Sequence, residues 1–171
     1  MDLRADNRIV DPMGGAEDLR RRQLRACAPD SFERDPVRVL RAIRQSLEME
    51  LRMTPETLRQ ARNAAPLLAG TSAERQRDEL FRILEGRSPG SALRLMDALG
   101  VLAQLFPEIR AMQGVTQSQP HTLDVWEHTL KVLDWLGRLL AVLAGDYEED
   151  SASDLILGLA VLRLGRYRRQ L

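Results

Sequence analysis

The chain has 171 residues, which is enough for one sizeable hydrophobic core or two small ones. Hydrophobic residues make up 44%, which excludes wholesale disorder, and aromatic residues only 4%, so the core must be built mainly from Leu, Ala, Val and Ile. This composition favours helices over sheets. The formal net charge of zero argues against a uniformly basic coat for nucleic acid.

The cysteine content and the apolar segments of the sequence indicate the cellular compartment. Cys27 is the only cysteine, so an intrachain disulfide and a thiolate metal cluster are both excluded. The first residues, "MDLRADNRIV", do not resemble a signal peptide, and the longest apolar run is interrupted by Arg138 and too short to span a bilayer. We therefore predict a soluble cytoplasmic protein with no membrane partner.

The first fifteen residues are predicted to be non-helical. Their pattern indicates a turn at Asp6 and Asn7, a short strand through Ile9 and Val10, and a second turn before Gly15. A single strand is not stable in water because its edges need partners. It either forms a small hairpin or is the last strand of a sheet.

The remaining residues predict a series of helices, with proline, serine or threonine at their starts and glycine at their ends. The predicted elements are one helix from the glycines through Cys27, then helices opening at Pro36, Thr54 to about Gly70, Ser72 to Gly86, 88–100, a short apolar segment stopped by Pro107, a long helix over 123–144, and a last helix from about Ser153. The inward positions of the long helix are expected to be Val125, Leu130, Leu133 and Leu136.

The helix that follows "RDPVR" separates a core side from an arginine side. On a helical wheel, Arg38 and Arg41 lie roughly opposite the apolar positions Val39, Leu40, Ile43 and Leu47. Asp35 is placed to cap the helix, with Pro36 as its first residue. The pattern alone leaves two interpretations open. The charged side is either a solvated face with a capping aspartate, or a binding face.

Four segments carry a resemblance to a known family. In order they are "RIVDPMGGAEDLRRRQLRA", "FERDPVRVLRAIR", "TPETLRQARNAAPLLAGTSAERQRDELFRIL" and "ALGVLAQLFPEI". They resemble the class II bacterial tRNA nucleotidyltransferases, which are the CCA-adding enzymes, and the related bacterial poly(A) polymerases. The resemblance implies an all-α, multi-helix chain in which the N-terminal strand or hairpin is a remnant of a nucleotidyltransferase palm.

The resemblance also implies roles for individual residues. The family motif Glu-Asp-x-x-Arg, whose Asp and Arg bond the base edge of the incoming nucleotide, is matched by Asp35 and Arg38. Carboxylate and guanidinium together offer the acceptors and donors that such recognition needs. Arg41 and Arg44 would be secondary contacts, and Asp11 would approach the triphosphate or simply cap a turn. One departure is Arg34, which replaces the family's Glu and puts the base preference in question.

The family's catalytic chemistry is not expected from these residues alone. Two-metal phosphoryl transfer needs closely spaced carboxylates, and no Asp-x-Asp occurs in the sequence. The resemblance therefore implies Mg²⁺ only for a full-length enzyme and predicts no bound metal and no polymerisation by this chain by itself. The implied partners are ATP or CTP, and tRNA or another RNA 3′ end. Self-association through an apolar surface, or binding to a separate palm domain, is a further prediction.

The segment "QPHTLDVWEHTLKVL" resembles the start of an HD metal-dependent phosphohydrolase domain, and His128 matches its first metal ligand. The other ligands of that centre are missing from the sequence. The resemblance divides the chain into a palm remnant (1–28), a helical neck and body that binds nucleotide and RNA (29–118), and the start of a truncated HD-like domain (119–171). The alternative is a stand-alone helical module that binds RNA or protein without catalysis.

Overall fold

The computed structural model describes residues 2–3, 9–144, 159 and 163. The architecture is helical. The helices are α1 (Gly15–Arg20), α2 (Ser31–Arg34), α3 (Val37–Glu48), α4 (Pro55–Ala64), α5 (Ala73–Leu84), α6 (Pro89–Ala98), α7 (Leu102–Leu105) and α8 (Val125–Ala144), with 3-10 turns at Ala65–Gly70 and Pro107–Met112. This confirms the all-α prediction. No helix in the described part of the chain is long and apolar enough to cross a membrane.

Two small pairs of strands accompany the helices. Strand β2 (Ile9–Val10) lies where the sequence predicts it and pairs antiparallel with β1 (Asp2–Leu3), so the hairpin alternative is the one observed. Strands β3 (Gln23–Leu24) and β4 (Arg52–Met53) form a parallel pair that the sequence pattern does not predict. This second pair joins segments on either side of the predicted domain boundary at residue 28.

The first predicted helix is shorter than expected. It was expected to run through Cys27 but ends at Arg20, and Arg22 then adopts a left-handed backbone with φ of 51°. The reason is tertiary. The Arg22 carbonyl accepts the Arg52 N–H at 2.8 Å, and the Leu24 carbonyl accepts the Thr54 N–H at 3.1 Å. Backbone groups that pair with β4 cannot also continue a helix.

Helix α3 is the centre of the core. Val39, Leu40 and Ile43 are fully buried, as their spacing predicts, and the helix packs against α5 and α6. Helix α6 in turn packs against α8. The core therefore holds α3 and α5 side by side, and this contact sets the arrangement of the charged residues on their edges.

Helix α8 confirms the predicted long helix, with a shifted core face. Leu130 is fully buried, but Leu136 is 46% exposed, so its predicted inward position is wrong. Trp126 is buried instead. A Cβ atom added to Gly137 would lie 3.4 Å from the side chain of Pro89. Contact with α6 rotates the buried face away from Leu136. The helix predicted from Ser153 lies outside the described residues, apart from helical positions 159 and 163.

Thr54 caps α4 and ties it to the parallel strand pair. Its hydroxyl accepts the Thr57 N–H at 3.2 Å and lies 2.8 Å from the hydroxyl of Thr57, which is buried and accepts the Ala26 N–H at 3.0 Å. We expect Thr54→Ala to lower the free energy of unfolding by about 1 kcal/mol, the usual effect of losing an N-cap. Thr54→Ser keeps the hydroxyl and should retain the stability. Urea unfolding of both variants checks this, and equal losses would contradict the capping role.

Candidate functional site

The charged residues predicted to bind a nucleotide lie along the contact between α3 and α5. Asp35 lies in the link between α2 and α3, and its carboxylate accepts two hydrogen bonds from one guanidinium nitrogen of Arg75 on α5, at 2.8 and 3.0 Å. The Arg38 Nε lies 3.5 Å from the same carboxylate. Asp35 and Arg38 are thus neighbours, as the sequence predicts, and Arg75 is a third member of the cluster.

The observed role of Asp35 differs from the predicted helix cap. Its backbone carbonyl accepts the Arg38 N–H at 3.0 Å, while its side chain turns to Arg75. Hydrogen bonds from Arg75 hold the pKa of the Asp35 carboxyl below its ordinary value, against the opposing effect of burial. The carboxylate is therefore ionised at neutral pH and can accept a hydrogen bond from an exocyclic amine.

Arg38 is half-exposed, with 51% of its side chain accessible. Its other guanidinium donors are available on the surface. An aspartate oriented by Arg75 and a half-exposed arginine one turn later form a compact set of acceptors and donors. Such a set can contact the edge of a base.

A second carboxylate, Glu79, organises the two other arginines of the face. It is 4% exposed, accepts the Arg41 Nε at 3.0 Å on one oxygen, and accepts the Arg44 Nε at 3.0 Å on the other. Arg44 also donates to Glu48 at 2.7 Å. Burial raises the pKa of Glu79, but the hydrogen bonds from Arg44 and Arg41 outweigh it and keep the pKa below its ordinary value.

Sequence reasoning singled out neither Arg75 nor Glu79 as a member of the site. The spacing of Arg75 and Glu79, which could have indicated their role, is visible in the sequence. Arg75 and Glu79 are one helical turn apart on α5, and they are spaced to meet Asp35 and the arginines of α3. Recognising this required knowing that α3 and α5 are neighbours, which periodicity does not indicate.

Arg34 lies apart from the cluster. Its guanidinium contacts the Asp30 carboxylate at 2.6 Å, within the short helix α2. Its side chain is 74% exposed. The cation that replaces the family's Glu is therefore neutralised by Asp30 rather than directed at Arg38.

Asp11 lies in the turn before α1. Its two carboxylate oxygens accept the N–H groups of Gly15 and Ala16, each at 2.8 Å. These bonds, that from Ala16 first, hold the pKa of Asp11 below its ordinary value. The carboxylate thus caps the turn, and an approach to a triphosphate remains a prediction.

A cleft of 170 Å³ opens beside the cluster, between β3, α2, α3 and α4. Arg38 and Arg41 line it together with Gln45, and Leu24, Phe32 and Ala42 form its apolar side. A larger cleft of 270 Å³ lies on the other side of Arg44, and its charged lining is mixed, with three arginines and three glutamates: Arg44, Arg82, Arg87, Glu48, Glu50 and Glu85. The smaller cleft is the one that adjoins Arg38 and Arg41.

His128 lies on α8, far along the chain from this cluster. Its ring makes an edge-on contact with His121, with centroids 5.3 Å apart. In the described part of the chain no three His, Cys, Asp or Glu side chains form a group that could hold a metal ion. The structure therefore brings no ligand set to His128 among these residues.

Part of the chain matches a known protein family. Residues 50–112 match the family described as "Probable RNA and SrmB- binding site of polymerase A". This range contains α4, α5 and α6, including Arg75 and Glu79. The fold and this match together indicate a helical domain similar to the RNA-binding region of that family.

The relatives identify the family. The chain is 40% identical over 139 residues to the A-adding tRNA nucleotidyltransferase of Deinococcus radiodurans, covering 78% of this chain and 32% of that protein. It is 40% identical over 136 residues to the Multifunctional CCA protein of Nitrosococcus oceani, covering 76% and 33%. A solved CCA-adding enzyme with ATP has a TM-score of 0.60 at 25% identity, covering 89% of this chain and 32% of that one. The chain belongs to the class II tRNA nucleotidyltransferases, and it spans about a third of the length of these curated relatives.

Proposed function

We propose that the chain supplies the nucleotide-selecting neck and the RNA-binding body of a cytoplasmic tRNA nucleotidyltransferase. The observation that carries this proposal is the cluster of Asp35, Arg38 and Arg75. It stands at the family's base-selecting motif, in a chain 40% identical to an A-adding enzyme. Arg41 and Arg44, which Glu79 holds, and Asp11 are the secondary contacts of the proposal.

The base edge explains why an aspartate and an arginine suit this task. Cytosine and adenine each present an exocyclic amine donor beside a ring-nitrogen acceptor. Ionised Asp35 accepts from the amine, and Arg38 donates to the ring nitrogen. Arg75 fixes the carboxylate without blocking Arg38, since it approaches from α5. The same pair therefore accommodates ATP or CTP.

The proposed organisation follows the family resemblance of the sequence motifs. Residues 29–118 form the neck and body that contact the nucleotide and the 3′ end of tRNA or another RNA. Residues 1–28 correspond to the end of the palm, and 119–171 to the start of an HD-like domain. Mg²⁺ would act in the palm of the full-length enzyme. Nothing in the comparisons supports self-association, which stays a prediction.

The proposal is tested by joining residues 9–144 to the remainder of the Deinococcus relative and measuring the incorporation of ATP, CTP, GTP and UTP into tRNA. We expect Asp35→Asn and Arg38→Gln to reduce the discrimination of ATP and CTP against GTP and UTP by about 1–3 kcal/mol, or roughly 5- to 150-fold. The loss arises because one half of the base contact is removed.

Arg34→Gln is the matched control for this experiment. It also removes a cation at the start of the motif, but Arg34 contacts Asp30 and not the cluster, so selectivity should be unchanged. Unchanged selectivity in Asp35→Asn would contradict the template assignment and favour the non-catalytic binding module. If the chimera is inactive, direct titration of the chain with ATP, CTP, GTP and UTP gives the same comparison.

A further inference from the structure

Helix α8 carries a charged and aromatic face that its packing leaves unused. The buried side of the helix holds Trp126 and Leu130. On another side, His128, Lys131, Trp135 and Arg138 follow one another at helical spacing, and their region lies beyond the segment matched by the RNA-binding family. Lys131 and Arg138 are exposed, and Trp135 is partly exposed. We call these four residues the basic face of α8.

Neither cation of the basic face forms an ion pair with a carboxylate within the described part of the chain. The two acidic neighbours on α8 make other contacts. Glu127 accepts from Arg94 at 2.6 Å, and Asp134 accepts the Gly90 N–H at 2.8 Å. The face therefore presents two exposed cations, Lys131 and Arg138, beside an aromatic ring.

The geometry of the ring and the guanidinium is suited to a nucleotide. The Arg138 Cζ lies 5.6 Å from the centre of the Trp135 ring. Lys131 precedes Trp135 by one turn, and its Cα lies about 10 Å from that of Arg138 along the helix axis. The Arg138 guanidinium lies over one face of the ring, so a base would stack on the opposite face. Aromatic rings flanked by cations bind single-stranded nucleic acid, because the ring stacks a base while the cations contact the phosphates on either side.

The position of α8 favours RNA as the occupant. The helix is attached to α6, which lies inside the segment that matches the RNA-binding family, through the Gly90–Asp134 hydrogen bond and the Arg94–Glu127 ion pair. We infer that the basic face of α8 is a second RNA contact, in which an unpaired base stacks on Trp135 and its phosphates meet Lys131 and Arg138. This inference rests on the proposed RNA-binding function and extends it beyond residue 112.

The experiment titrates the chain with a tRNA transcript that ends in CC, at several salt concentrations. We expect Lys131→Gln/Arg138→Gln to weaken binding about tenfold at low salt and to reduce the slope of log K against log salt by about 1.4–1.8, since each lost phosphate contact reduces it by about 0.7–0.9. Trp135→Ala should weaken binding at least about fivefold, and Trp135→Phe should bind nearly as well as the unmodified chain.

Tryptophan fluorescence separates direct contact from an indirect effect. The chain has two tryptophans, of which Trp126 is buried, so quenching by RNA should come from Trp135 and disappear in Trp135→Phe. Arg20→Gln/Arg21→Gln is the charge-matched control, because these arginines are 74% and 65% exposed and both pair with Glu17 at 2.7 Å, and the affinity of this variant should be unchanged.

The outcomes are distinguishable. If the unmodified chain binds the tRNA but the α8 variants bind it equally well with the same salt slope, the inference is overturned and the proposed function stands. If the unmodified chain does not bind the tRNA at all, RNA binding itself is overturned and the inference with it. Circular dichroism of each variant confirms that α8 is still folded.

Discussion

Replacing Glu79 with Ala should lower the free energy of unfolding by about 3 kcal/mol, at the lower end of the range for breaking a buried ion pair. The carboxylate is 4% exposed and is the shared partner of Arg41 and Arg44. Arg44 is only 16% exposed, so it would remain desolvated without this partner. Arg41 is 48% exposed and can rehydrate, which limits the loss.

Thermal unfolding measures this effect. A loss of that size corresponds to a decrease in Tm of about 6–12 °C for a chain of this length. Glu48→Ala is the matched control. It also removes an acceptor of Arg44, but its side chain is 42% exposed and a change there should alter Tm little. Equal effects of the two substitutions would contradict the importance of the buried carboxylate.

The same carboxylate makes stability depend on pH. The pKa of folded Glu79 is lower than its ordinary value of 4.5, so the unfolded chain takes up the proton first as the pH falls. The contribution of ionised Glu79 to the free energy of unfolding is complete at a pH above its ordinary pKa. This contribution is lost as the pH falls through the lower pKa that Glu79 has in the folded state. Glu79→Gln should therefore show a shallower loss of stability in acid, measured by urea unfolding between neutral and acidic pH.

Gly90→Ala should lower the free energy of unfolding by about 2–3 kcal/mol, from overpacking together with the loss of a partly buried hydrogen bond. A Cβ at this position would lie 2.5 Å from the Asp134 Oδ2. Asp134 cannot simply move away, because its Oδ1 accepts the Gly90 N–H at 2.8 Å. Accommodating the methyl group therefore breaks the bond that attaches α8 to the start of α6.

Gly70→Ala is the control for this substitution. A Cβ at Gly70 meets no atom within 4 Å, and the residue is exposed, so the change should be neutral or slightly stabilising. Urea unfolding compares the two variants. If Gly90→Ala is as stable as Gly70→Ala, the α6–α8 contact is looser than the structure indicates. A loss of the near-ultraviolet signal of buried Trp126 would locate the disruption at this contact.

Much of the local structure could be predicted from the sequence because its causes are local. The starts of α3, α4 and α5 follow from their proline, threonine and serine residues, and the burial of Leu40 and Ile43 follows from helical spacing. The helix predicted from Thr54 to about Gly70 was too long, because α4 ends at Ala64 and a 3-10 turn over Ala65–Gly70 follows, with Pro66 near its start. The nearness of Asp35 and Arg38 is also local, since they are three residues apart at the start of one helix. The family resemblance rested on such segments, and the comparisons confirmed it.

Tertiary structure decided what depends on residues far apart in the chain. The end of α1 at Arg20 and the β3–β4 pair result from hydrogen bonds across some thirty residues, which outweigh the helix propensity of the segment. The exposure of Leu136 was decided by the contact of α8 with α6. The pairing of Asp35 with Arg75 also depends on helix packing. Only the packing of α5 on α3 brings Arg75 and Glu79 to the arginine face, because charged side chains at helix edges choose their partners by proximity in space.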